Sequence, residues 1–167
     1  MNQLPLLLLL TALPALGQTR VTTPTSHHRT PALLLGPVLT YTESFGSDQL
    51  RRGLSGHVEL GGSLPVGYED NELFLLARVG AGTPGFSLAA HGGFRSVFTL
   101  EEWQTYTELG AIVHARPRFW VGPRVGLGVR RTLTETLSVY GGAGAQLGFG
   151  SGLRFDIEVS SGLRWSL

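Results

Sequence analysis

The chain has 167 residues, of which 24 are Gly and none is Cys; 42% are hydrophobic, 15% are charged and the formal net charge is +1. That length holds one domain, two at most. The absence of Cys excludes disulfide scaffolds, thiolate zinc sites, cysteine nucleophiles and a lipid-anchored amino-terminal Cys, and near-neutrality removes the electrostatic case for nucleic-acid binding.

Residues 1–17 read as a signal peptide, with an apolar run from Leu4 to Leu16 that is too short for a transmembrane helix and ends in the small-residue site Ala15-Leu16-Gly17. No Arg or Lys precedes the run, so the positive charge there is the amino terminus of Met1. Residues 18–31 form a polar Thr- and Pro-rich leader. Its His27-His28 pair lacks the convergent third ligand that a metal site needs, and no metal or other cofactor is expected.

From Ala32 onward the pattern alternates with period two, interrupted by Gly, Pro, Asn and Asp clusters, and predicts eight strands. The first, about Ala32 to Thr42, sets Leu33, Leu35, Leu39 and Tyr41 against Gly36, Val38, Thr40 and Thr42. A loop over residues 43–53, with Asp48, Arg51 and Arg52, is the longest candidate contact region. The second strand opposes Leu54, Val58, Leu60 and Leu64 to Ser55, His57, Glu59, Gly61 and Ser63, and the third opposes Leu73, Leu75, Ala77 and Val79 to Phe74, Leu76, Arg78 and Gly80. In the fourth, Phe86, Leu88, Ala90, Gly92, Phe94 and Phe98 face away from Ser87, Ala89, His91, Gly93 and Arg95.

The fifth sets Leu109, Ala111, Val113 and Ala115 against Glu108, Gly110, Ile112 and His114. The sixth places Phe119, Val121, Pro123, Val125, Leu127 and Val129 opposite Trp120, Gly122, Arg124, Gly126, Gly128 and Arg130, and in the seventh an apolar row from Leu137 to Phe149 opposes Ser138, Tyr140, Gln146 and three Gly. The last is the clearest: Phe155, Ile157, Val159, Ser161, Leu163, Trp165 and Leu167 against Arg154, Asp156, Glu158, Ser160, Gly162, Arg164 and Ser166. Turns are expected at VGYEDN, GTPG, LEEWQT, ARPR, TLTET and GFGSG. Short links favour an antiparallel meander, and closing eight strands removes both sheet edges.

The face turned inward decides the class of function. A soluble barrel keeps its apolar residues inside, whereas a membrane barrel inverts this. The polar face mixes charges of both signs with Gly, which suits the crowded interior of a small barrel: Glu59, Arg78, Arg95, Glu108, Arg124, Arg130, Arg154, Asp156, Glu158 and Arg164, together with His57, His91 and His114. Charges there need partners, so an ion-pair network is expected. Aromatic residues on the apolar face fall near strand ends, as membrane girdles require. With the first strand running outward, Tyr41, Phe86, Phe119, Phe149 and Phe155 lie at the outer end, and Phe98, Trp103 and Trp165 at the inner end.

On these features the chain resembles the small eight-stranded outer-membrane barrels of Gram-negative bacteria, the family that includes the OmpA transmembrane domain and its OmpX and OmpW relatives. The resemblance covers residues 32–167 and includes the final strand EVSSGLRWSL, similar to the family's C-terminal assembly signal although it ends in Leu167 and not in an aromatic residue. It implies an all-β, antiparallel up-and-down transmembrane barrel in the cell outer membrane. Its implied partners are outer-membrane lipid and the barrel assembly machinery, and its implied state is a monomer with no nucleic acid bound.

An enzyme is not expected. The lipid-modifying barrels place Ser and His together at the lipid-facing rim, and here all three barrel histidines fall on the interior face with no His-x-Ser pair. The Gly-rich stretches lack the Gly-Lys-Ser/Thr of a phosphate loop. Two other readings remain open at this point: a soluble exported barrel around a small apolar ligand, and a narrow Arg-lined anion path.

Overall fold

A computed structural model describes residues 30–46, 49–67, 71–83, 85–100, 103–150 and 152–167. Residues 1–29, which hold the expected signal peptide and most of the expected leader with its His pair, and several turn residues lie outside the described residues. The alternation organises eight strands: β1 (Ala32–Gly46), β2 (Gln49–Val66), β3 (Asn71–Gly82), β4 (Gly85–Leu100), β5 (Trp103–Arg116), β6 (Trp120–Thr132), β7 (Leu137–Gly150) and β8 (Leu153–Ser166). Each pairs antiparallel with its sequence neighbour, and β1 closes on β8. Twelve residues, the length of β3, rise about 28 Å at about 3.4 Å per residue and a tilt of about 45°, enough to cross a hydrocarbon layer.

The side chains are arranged inside out relative to a water-soluble protein. Among the described residues, thirty-three large apolar side chains are exposed on the outside, while Glu59, Arg78, Glu158 and Arg164 are among those buried inside. The soluble-barrel reading is thereby overturned, because its apolar face would have to line the cavity and here it forms the exterior.

The region 43–53 is, over its described residues, strand and not loop. It continues the β1–β2 hairpin, with Glu43 opposite Arg52, Ser44 opposite Arg51 and Phe45 opposite Leu50. Glu43 and Arg52 form an ion pair at 2.9 Å, so charges that read as a solvated turn instead pair across a ladder. The fourth turn is also shorter than LEEWQT, since β4 runs to Leu100 and β5 starts at Trp103.

Two identical steps interrupt the ladders. Gly36-Pro37 on β1 makes no bridge to Ser161-Gly162 on β8, and Gly122-Pro123 on β6 makes none to Leu147-Gly148 on β7. Proline has no N–H to donate, and each glycine lets the strands approach where a Cβ would strike the neighbouring backbone. Between β4 and β5 the register shifts at Leu88/Ala89, where Arg116 and His114 are the partners and Ala115 is the extra residue.

Candidate functional site: the barrel interior

Strand alternation places one side chain in two inside the barrel, and closure brings together residues far apart in sequence. Six of the interior charges join with Tyr140 in one chain of hydrogen bonds. Tyr140 Oη donates to Glu59 Oε1 at 3.1 Å, and Arg78 Nε donates to Glu59 Oε2 at 3.1 Å. Arg78 then grips Glu158 with Nη1 on Oε2 at 2.6 Å and Nη2 on Oε1 at 3.0 Å. The same Oε1 accepts from Arg124 Nε at 2.8 Å and Nη2 at 2.5 Å. Arg124 Nη1 donates to Glu108 Oε2, and Arg95 reaches Glu108 Oε1 through Nε at 2.9 Å.

Toward the end of the barrel where β3 and β5 begin, the acceptor is Glu72. Its Oε1 takes hydrogen bonds from Arg130 Nη1 at 2.8 Å and Arg164 Nη2 at 3.0 Å, and Arg95 Nη1 lies 3.5 Å from Oε2. Arg130 Nε also donates to Gln104 Oε1 at 2.7 Å. At the opposite end Arg154 Nε bonds Asp156 Oδ1 at 2.8 Å, and Arg154 Nη2 donates to Thr42 Oγ1 at 3.0 Å. Gln146 donates to Asp156 Oδ2 at 2.7 Å. The Arg154 guanidinium lies 4.5 Å above the ring of Trp120, and Trp120 stacks on His114 at 3.9 Å.

The ten charged residues singled out from the sequence all turn into the interior and take part in these pairs. Sequence reasoning missed Glu72, the acceptor shared by three arginines, because VGYEDN was read as a turn and the strand as starting at Leu73. Counting back one residue from the outward-facing Leu73 would have placed it inside. Gln104 was lost in the same way inside LEEWQT, and Tyr106 lies just after it, before the fifth strand as read from the sequence. Tyr106 lies under the Arg95 guanidinium at 4.6 Å.

His57, His91 and His114 are buried inside, and no ring among the described residues hydrogen-bonds to a carboxylate or a serine; His57 Nδ1 lies 3.5 Å from Thr40 Oγ1. No group of three or more His, Asp or Glu able to hold a metal occurs among the described residues.

Outside, the aromatic residues sit at two levels. Tyr41, Phe86, Phe119, Phe149 and Phe155 are exposed toward the end with links 47–48, 83–84, 117–119 and 151–152, and Phe45 joins them. Phe98, Trp103 and Trp165 are exposed at the other end, where the Arg131 guanidinium lies 5.4 Å from the Trp103 ring. Phe94 faces outward between the two levels.

No family model matches the chain, and no curated protein matches its sequence. Among solved structures it is similar to Neisserial surface protein A (NspA), with a TM-score of 0.52, 12% identity, and 81% of this chain and 99% of that chain covered. The chain has the fold of the small outer-membrane β-barrels. A designed transmembrane β-barrel is a further match, at TM-score 0.48 and 16% identity, covering 83% of this chain and 96% of that one. An eight-stranded barrel of this type exposes its apolar face to hydrocarbon and keeps its charges inside, which is the distribution the side chains follow.

Proposed function

We propose that the chain is an integral protein of the bacterial outer membrane that acts through its structure and surface contacts and not through catalysis. The observation that carries this reading is the pairing of an apolar, aromatic-girdled exterior with an interior filled by guanidinium–carboxylate contacts. Removing charges from water costs several kcal/mol each unless they are paired, and lipid outside the wall gives these side chains nowhere else to turn. The partners under this reading are outer-membrane lipid and, during biogenesis, the assembly machinery through β8. The closed strand order leaves no open sheet edge to drive association, consistent with a monomer.

The Arg78–Glu158–Arg124–Glu108 links run from β3 to β5 by way of β8 and β6, which favours a filled interior over an anion path. Fractionation of cells expressing the full chain, with gel migration of unheated and boiled membrane material, tests the assignment. Heat-modifiable migration in the outer-membrane fraction is expected, and recovery in the soluble periplasm would overturn it. In planar bilayers the same material is expected to give no steady conductance.

A further inference from the structure

We propose that the β5–β6 connection, Arg116-Pro117-Arg118-Phe119, docks the phosphate headgroup of an anionic lipid in the leaflet at its end of the barrel. This rests on the reading of the chain as a membrane-inserted barrel. Alternation alone would turn Arg116 inward, because it shares parity with His114. The register shift between β4 and β5 adds Ala115 and leaves both Ala115 and Arg116 exposed. Arg118 is also exposed.

These two residues differ from the other described arginine side chains. Six lie in the interior pairs, Arg52 binds Glu43 and Arg131 stands over Trp103. Arg116 and Arg118 have neither a carboxylate nor a ring partner among the described residues. A guanidinium presents a fork of donors that matches phosphate oxygens, and two of them flanking one Pro form a compact cationic point.

Position selects lipid as the occupant. Phe119, 64% exposed, follows directly on the apolar exterior and belongs to the aromatic level that marks the edge of the hydrocarbon. The arginines next to it therefore stand at headgroup height. The opposite end is the more acidic: in sequence, its links 67–70, 101–102 and 133–136 carry Glu69, Asp70, Glu101, Glu102 and Glu135 and no basic residue, with the exposed Arg131 of β6 beside them. An anionic headgroup is repelled there and attracted at the β5–β6 end, so the barrel discriminates between the two leaflets.

The test uses the full chain folded in detergent, with phosphatidylglycerol and phosphatidylcholine as competing probes and bound lipid counted by native mass spectrometry. Preferential retention of phosphatidylglycerol is expected, falling about fivefold for each of Arg116→Gln and Arg118→Gln, since a basic residue near a headgroup contributes about 1 kcal/mol. Inorganic phosphate should compete poorly, because it lacks the acyl chains that lie against Phe119. Arg52→Gln, at the same end but already paired, should leave retention unchanged. Equal retention of the two lipids, a double variant that binds like the parent, or an equal loss with Arg52→Gln would overturn the proposal. Gel migration of unheated samples is read in parallel: a chain that fails to fold as a barrel defeats the membrane reading itself, whereas a folded barrel without lipid preference defeats only this inference.

Discussion

Arg78 and Glu158, 80 residues apart in sequence, meet inside the barrel as a side-on pair with two hydrogen bonds of 2.6 and 3.0 Å. Both side chains are almost wholly removed from solvent, with relative exposures of 2% and 1%. Glu158 also holds Arg124, so one carboxylate is the shared acceptor of two guanidiniums. Glu158→Leu should therefore leave both without their shared acceptor and lower stability by about 3–5 kcal/mol. Urea unfolding of the folded barrel measures it. A double-mutant cycle of Arg78→Met and Glu158→Met should give a coupling above about 1 kcal/mol, and a coupling near zero would count against the pair.

Glu72 is expected to matter as much as any charge identified from the sequence. Arg130 and Arg164 share its Oε1, and a neutral amide keeps the shape while removing the charge that holds them together. Glu72→Gln should cost about 3 kcal/mol. Glu43→Gln, which removes the charge paired with the exposed Arg52 and leaves an amide oxygen to accept from Tyr41 Oη, should cost less than about 1 kcal/mol. The same unfolding assay compares them, and equal effects would argue that the interior is solvated.

The exterior assignment can be tested at Val159, which is 59% exposed on β8 between Ile157 and Ser161. An Arg at this position would face hydrocarbon and should reduce the free energy of folding into vesicles by about 2–4 kcal/mol. Full insertion of Val159→Arg would place that face elsewhere.

Glycines at two positions should respond in opposite ways. A Cβ at Gly122 would overlap the Leu147 carbonyl beside the interrupted ladder, and Gly122→Ala is expected to destabilise by about 1–3 kcal/mol. At Gly56 nothing lies within 4 Å of the added carbon, and Gly56→Ala should be neutral or mildly stabilising. Thermal loss of the unheated gel band ranks the two variants against the parent.

Much of the architecture was legible in sequence because strand alternation is a local property. Val159 and Glu158 occupy opposite faces whatever else the chain does, since successive side chains leave a strand on opposite sides. The same logic failed where a boundary was misplaced, as at Glu72 and at Arg116, which was read as part of the ARPR turn and is the last residue of β5. It also failed over residues 43–46 and 49–53, where charges and Gly resembled a loop although each of these residues has a ladder partner on the other strand.

The sequence by itself determined the number of strands, the two chemically distinct faces and the supply of charges for the interior. Tertiary structure decided which charges meet. Arg78 reaches Glu59, its cross-strand neighbour on β2, and also Glu158 on β8, because closure sets β8 beside β1 and brings the two walls within the reach of one guanidinium. Alternation assigns a face to each residue, but a partner across the barrel depends on closure, stagger and side-chain length together, and none of these is a local property of the chain.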